Sequence, residues 1–369
     1  MARTVAALVS ARCITVQGVG VQASTVVSWR ATTIEPWEDG ARTDNSAGTY
    51  EWWYFDAHLD DGANLIVVFM NKDLSEPGKS LSPLLRLELE LPDGRHLQKM
   101  VHYSPDEWAA ATDHADVRIG DNRFSGDLHT YHITAADDEV SVDITLTADV
   151  PSWRPGTGHI LFGTDGQQDF GWLPAVPQGT VTGSYTVDGT THPARGVGYH
   201  DHNWGNVGLM QVVHHWYWAR GQAGPYTVIA SHITAAAKYG YEPIIIFMLA
   251  RDNTVLLDDP DKVTFETDGI YTDISTKKPV ASITRYIYRD GEDRYSVTFT
   301  RSRDLTRSKM ADSLTGFKRI AAKATRFDGA YLRFIGNLEI SPHRGEELID
   351  SYRDQAIWEL MYFGHPRPE

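Results

Sequence analysis

The stretch Ile283-Thr284-Arg285-Tyr286-Ile287-Tyr288-Arg289-Asp290-Gly291-Glu292-Asp293-Arg294-Tyr295-Ser296-Val297-Thr298-Phe299-Thr300-Arg301-Ser302 sets two alternating runs on either side of an Asp-Gly pair. Alternation with a period of two marks strands with one buried face, and Asp-Gly supplies the positive φ of a tight hairpin. The stretch therefore reads as a β-hairpin of Ile283–Arg289 and Tyr295–Ser302. The same pattern recurs along the chain. It predicts strands at Tyr50–Leu59, Asn64–Asn71, Leu84–Leu91, His129–Ala135, Val140–Ala148, Thr180–Val187, His214–Arg220, Tyr226–Thr234, Ile244–Ala250, Tyr331–Ser341 and Gln355–Gly364. Turn signals at Asp61-Gly62, Pro92-Asp93-Gly94, Asp188-Gly189 and Asp328-Gly329 separate many of them. Short helical pieces are expected near 105–111 and 307–323, the second being either a helix or an extended, loosely structured connection.

The expected fold is all-β, with antiparallel strands closed into barrels or sandwiches that hide their edges. The strand count exceeds one small barrel. Two barrel-like halves fit better, with an N-terminal extension at 1–40, one domain at 41–195 and a second at 196–369. No sequence repeat links the halves.

The 369 residues include 11 Trp and 17 Tyr, rings that suit strand surfaces and apolar ligand cavities alike. The net charge of −15 repels phosphate backbones and anionic membranes, so no nucleic-acid partner is expected. The single cysteine, Cys13, allows neither an internal disulfide nor a Cys-based zinc site. A reducing cytoplasm is the expected home, and no apolar run is long enough for a membrane-spanning helix. Cys13 to Val19 reads as a strand or tail rather than part of a secretory signal.

Two dense clusters carry the candidate chemistry. In Glu51-Trp52-Trp53-Tyr54-Phe55-Asp56-Ala57-His58, alternation puts Glu51, Trp53 and Phe55 on one face, and Trp52, Tyr54, Asp56 and His58 on the other. A carboxylate buried among rings has a raised pKa and suits a general acid; it equally suits a cap on a buried backbone group. In Gly198-Tyr199-His200-Asp201-His202-Asn203-Trp204-Gly205, His200, His202 and Trp204 share one face, with Asp201 and Asn203 opposite. The His-X-His pair invites a metal, for which His214, His215 or His232 would have to supply a third ligand. No zinc-hydrolase spacing is present, and the neighbouring rings favour a dry cavity, so no metal is expected. The alternative is a pair of hydrogen-bonded core histidines.

Trp216 and Trp218 follow each other on one strand face and form a flat aromatic wall. Such a wall can hold a polyene in shape or stabilise a cation, or simply be core. Tyr226 and His232 share a face of the following strand. Near the end, Trp358-Glu359-Leu360-Met361-Tyr362 sets Glu359 alone in an apolar strand, a further acid candidate. No phosphate-cradling loop, dinucleotide fingerprint or nucleophile elbow occurs, so no cofactor is expected.

These pieces resemble the hydroxyneurosporene synthase (carotenoid 1,2-hydratase)-like family. The resemblance rests on Glu51-Trp52-Trp53-Tyr54-Phe55-Asp56, Gly196 to Gly205, Trp216-Tyr217-Trp218-Ala219-Arg220 and Trp358 to Gly364, and covers about residue 45 to the C-terminus. It implies two lipocalin-like β domains and cofactor-free chemistry on apolar, polyene-like molecules. The Tyr-His-Asp-His-Asn-Trp-Gly version found here is closer to the natural-product cyclase branch. The expected function is an isomerase or cyclase acting on a polyene, polyketide or terpenoid-type substrate. Hydration of an isoprenoid alkene is the alternative, and a non-catalytic binder of hydrophobic ligands the third. Candidate catalytic groups are Glu51, Asp56, His200, Asp201, His202 and Glu359. Candidate substrate contacts are Trp53, Asn71, Trp204, Trp216, Trp218, Tyr226 and His232. The expected partner is a small hydrophobic substrate, and the oligomeric state is open.

Overall fold

The computed structural model describes residues 14–16, 33–74, 76, 78–310 and 328–365. The chain divides into two compact units between Gly208 and Leu209. Each is built on one large, mostly antiparallel sheet.

In the first unit the chain builds outward from Tyr50–Leu59 through Asn64–Met70 and Leu84–Glu90 to His96–His102. It restarts at Trp108–Ala110 and builds back through Ala115–Ile119, Asn122–Gly126, Thr130–Ala136, Val140–Val150 and Gln168–Val187 to Thr190–Gly205. The last strand closes against the first, with Gly196 opposite Leu59 and Gly205 opposite Tyr50. Leu85 and Leu87 from one end of the sheet share a core with Val117 and Ile119 from the other, so the sheet curls around one interior. Trp53, Phe55, Ala57 and Leu59 point into that core. Ile66, Val68 and Met70 gather with Trp52 and Tyr54 in a separate cluster on the reverse face. The central strands are thus buried on both sides, which alternation alone does not reveal.

Local chemistry explains the joints. Asp188 and Gly189 both take positive φ, 51° and 72°, as a two-residue hairpin turn requires. Pro174 and Pro177 lack the N–H that a ladder needs, and the pairing of their strand with Thr190–Gly205 shifts register on both sides of Val176.

The second unit's sheet runs Thr254–Leu257, Pro243–Arg251, Tyr226–Ala235, Val213–Ala223, Tyr352–Tyr362, Ala330–Arg344, Asp293–Lys309, Ile283–Asp290 and Val263–Asp268. The hairpin expected from the opening stretch is present. Asp290 pairs with Asp293, so Gly291 and Glu292 form the turn. Tyr217, Val228, Phe247, Tyr286, Phe299, Phe334 and Trp358 build its core.

Two expectations differ from the structure, and a third is narrowed by it. The piece at 105–111 is a single 3-10 turn, Pro105–Glu107, followed by the strand Trp108–Ala110. Of the helical or extended alternatives for 307–323, Arg307 to Lys309 are extended and complete a long strand, and the segment beyond Met310 lies outside the described residues. A boundary between 195 and 196 falls inside the strand Thr190–Gly205, so the His200–His202 segment belongs wholly to the first unit. Of the N-terminal strand, Ile14–Val16 pairs with Ile160–Phe162, and its flanks lie outside the described residues. Among the described residues no helix is long and apolar enough to cross a membrane.

Candidate functional site

The pairing of Tyr50–Leu59 with Thr190–Gly205 sets Trp53 opposite His202, Phe55 opposite His200 and Glu51 opposite Trp204. The intervening pairs, Tyr54 with Asp201 and Asp56 with Tyr199, emerge on the reverse face. One strand pair therefore presents two polar clusters back to back.

The inner cluster is centred on a carboxylate that sequence reading did not single out, Asp39. It sits on the 3-10 turn Pro36–Asp39, inside the segment expected to be a mere extension. Its Oδ2 accepts a 2.5 Å hydrogen bond from the Tyr131 hydroxyl and lies 3.1 Å from His200 Nε2. His200 Nδ1 lies 2.9 Å from the Tyr54 carbonyl, an acceptor only, so that nitrogen carries a hydrogen. His202 Nε2 lies 2.8 Å from Glu51 Oε1, and its Nδ1 faces Asp39 Oδ1 at 3.5 Å. Neither of those last two atoms has another partner among the described residues. Asp39, Glu51, His200 and His202 are all essentially inaccessible to solvent.

Glu51 is held by donors on both oxygens. Besides His202, it accepts from the Arg42 amide and from both the amide and hydroxyl of Thr43. Asn71 supports the same loop: its Oδ1 accepts from the Glu51 amide and its Nδ2 donates to Asn45 Oδ1 at 2.9 Å. Trp53 stacks on His202 with 4.2 Å between ring centres, and Trp204 lies 4.9 Å away. This cluster brings Glu51, His200, His202, Trp53, Asn71 and Trp204 together around two buried carboxylates and two imidazoles.

The outer cluster is centred on Asp201. Its Oδ2 accepts from the Tyr199 hydroxyl at 2.8 Å and from Trp172 Nε1 at 2.7 Å, while Oδ1 accepts from Asn203 Nδ2 at 2.8 Å. Burial pushes its pKa up to about 6, and the three donors, with the His200 charge, oppose that rise without cancelling it. Tyr54 packs edge-on to Tyr199 and donates to Asp56 Oδ2 at 3.0 Å. Trp52 stacks between Tyr50 and Phe170 on the same face. The arrangement is a carboxyl whose acid form is favoured by burial, set in an aromatic floor. Trp172 escaped sequence reading because its strand carries two prolines. Tyr199 was legible, since alternation places it beside Asp201.

The remaining candidates lie in the second unit. Trp216 Nε1 donates to Glu359 Oε1 at 2.9 Å, and Trp218 pairs opposite Glu359. His232 pairs opposite Tyr217 on the other face of the sheet and stacks on Phe265 at 4.2 Å. Tyr226 sits at the far end of that strand, against Tyr295 and Tyr352. Among the described residues no three His, Cys, Asp or Glu side chains are grouped to hold a metal. His200 faces Asp39 and His202 faces Glu51, while His214, His215 and His232 belong to the second unit.

Comparison with known proteins adds a lineage. The Diels-Alderase-like family matches residues 24–308. A quinolone epoxide rearrangement protein of Emericella nidulans is 24% identical over 238 residues, which is 59% of this chain and 63% of that protein. A hydroxyneurosporene dehydrogenase of Chlorobaculum tepidum is 27% identical over 216 residues, 48% of this chain and 54% of that protein. The chain thus spans less than two thirds of either relative. The crystal structure of CghA has a TM-score of 0.62 at 16% identity, covering 89% of this chain and 95% of that one. That likeness is one of fold, and it agrees with the expected lipocalin-like architecture.

Proposed function

Because the chain belongs to the Diels-Alderase-like family, we propose that it is a cofactor-independent isomerase or cyclase of secondary metabolism. Its substrate is an apolar polyene, polyketide or terpenoid-type molecule, and the expected reaction is an intramolecular cyclisation or an acid-triggered rearrangement. The epoxide rearrangement named for the Emericella nidulans relative supports the second of these.

The observation that carries the reading is the state of Asp201. A buried carboxyl poised at about 6 is partly protonated near neutrality. It can donate a hydrogen bond or a proton to a carbonyl, an epoxide oxygen or an alkene, as a solvated carboxylate cannot. The Tyr199 hydroxyl, Trp172 indole and Asn203 amide would then hold the carboxylate that remains. Flat rings beside it, Trp52 and Tyr54, would hold an extended chain in a reactive fold.

The inner cluster has a supporting role in this reading. Glu51 accepts on both oxygens and Asp39 Oδ2 accepts from Tyr131, and these bonds stiffen the strand pair that displays Asp201. Hydration of an alkene would use the same acid and differ by the capture of water. Incubation with linear polyene and epoxide substrates, followed by mass analysis, distinguishes the two: rearrangement conserves mass and hydration adds one water. Turnover by D201N equal to that of the native protein would remove Asp201 from the mechanism.

A further inference from the structure

The second unit holds a cluster of rings and polar groups that the Asp201 reading does not employ. At one end of its otherwise apolar interior stand His215, Tyr217, His232, Phe265, Tyr286 and Tyr362. His232 lies flat on Phe265, 4.2 Å between centres and 18° between planes. His215 lies flat on Tyr362, at 4.8 Å and 13°. Phe265 contacts the Tyr286 ring at 4.9 Å and Tyr217 at 5.9 Å. The His215 ring meets Tyr217 edge-on at 6.5 Å, so these rings form one continuous group, carried by four strands and the Val263–Asp268 edge.

Two of its polar atoms are orphans. The Tyr286 side chain is 0% exposed, and its hydroxyl has no hydrogen-bond partner among the described residues. His232 Nδ1 is likewise buried and unpartnered. The other polar groups are engaged: the Tyr217 oxygen accepts from the Ala281 amide at 3.0 Å, and His215 Nδ1 lies 2.7 Å from His214 Nδ1. A buried polar atom left unpaired costs about 1–3 kcal/mol whether it is a donor or an acceptor, so two together call for a partner that is not protein. None of the six side chains is an Asp, Glu, Lys or Arg. Lys278, 5.2 Å from the centre of the Tyr362 ring, is engaged with Asp328 and the Gly364 carbonyl. Burial holds both imidazoles neutral, His215 down to about 3 and His232 to about 4.

We propose that this end of the second unit's interior is a separate binding site for an uncharged, flat aromatic or polyene ligand bearing one hydroxyl or carbonyl oxygen. The rings take the flat body, and the oxygen meets Tyr286 Oη and His232 Nδ1. An ionised ligand would find there only a cation already paired with Asp328.

Calorimetric titration of the full chain at neutral pH with 2-naphthol, naphthalene and 2-naphthoate tests the proposal. The native protein is expected to prefer 2-naphthol over both of the others. Y286F deletes only the orphan hydroxyl and should weaken 2-naphthol binding roughly three- to tenfold while leaving naphthalene unchanged. H232F keeps the ring and should act in the same direction. D201N should leave the titration unaltered, which makes this outcome independent of the reading of Asp201. Undiminished 2-naphthol binding by Y286F overturns the proposal, as does a loss confined to D201N or no binding by the native protein. The ligand-free Y286F protein supplies a second readout. It should melt no lower than the native one, since it loses an unmet donor; a clearly lower melting temperature would mean that the hydroxyl is already satisfied, and would also overturn the site.

Discussion

Trp53 and His202 lie face to face across neighbouring strands, 4.2 Å between ring centres with planes 14° apart. The stack clamps the imidazole between two carboxylates, Glu51 at 2.8 Å from Nε2 and Asp39 at 3.5 Å from Nδ1. It also fixes the register of the strand pair whose reverse face carries Asp201.

Glu51 is the point at which this frame is most exposed to test. In Glu51→Gln the amide must turn its own N–H toward His202 or toward the Arg42 and Thr43 donors, so at least one buried bond is lost. The expected cost is about 2–4 kcal/mol. Thermal denaturation should show a clear fall in melting temperature, with faster proteolysis at residues 42–45. A variant as stable as the native protein would show that the loop is held by other contacts.

Asp201 predicts a pH profile. Its carboxyl titrates at about 6 instead of the ordinary 3.8, so the acid form is lost as pH rises through about 6. If that form delivers the proton, kcat/KM should fall over this range, about tenfold per pH unit above it. D201N should be lower by roughly 100-fold or more and should lack this limb. Stability carries the same sign. The folded state favours the neutral form, so this residue's contribution is greatest at low pH and declines between about 4 and 6.

Both faces of this strand pair were legible in the sequence, because alternation is a local property of the pleat. It correctly sorts Glu51 and Trp53 from Tyr54 and Asp56, and His200 and His202 from Asp201. The pairing that brings Trp53 to His202 is not local and leaves no periodic trace. Asp39 was invisible for the same reason, since a single 3-10 turn has no period to detect. The misplaced boundary has its own cause. Residues 190–197 are mostly solvent-facing and include Gly196, whose φ of +155° lets the strand pass close to the His58 carbonyl. Polar residues followed by a glycine read like a linker, although here they form the outer half of a long strand.

Tyr131 reaches Asp39 only because Gly126 leaves room for its ring. A Cβ at position 126 would sit 2.2 Å from Tyr131 Cδ1, far inside contact distance. Gly126→Ala should therefore displace the ring, breaking the hydroxyl bond to Asp39 and costing about 1–3 kcal/mol. Tyr131→Phe removes the bond without the clash and should cost about 1.5–3 kcal/mol. Chemical denaturation of the two variants checks this. Similar losses would place the effect in the bond, and a loss in G126A alone would place it in packing.

The two neutral imidazoles of the second unit make its stability sensitive to acid. Unfolded histidine takes up a proton near 6.5, whereas His232 resists until about 4 and His215 until about 3. Between those values the unfolded chain binds more protons than the folded one, so stability is lost as pH falls below about 6.5. Each group contributes a slope approaching ~1.4 kcal/mol per pH unit in the middle of that window. His232→Phe keeps the stack on Phe265 and removes one such group. Denaturant unfolding from pH 6 to pH 5, above the range where most carboxylates titrate, should show a shallower fall for H232F than for the native protein. Identical slopes would mean that His232 gains its proton in the folded state as readily as in the unfolded one, and that the pocket around it is open to water.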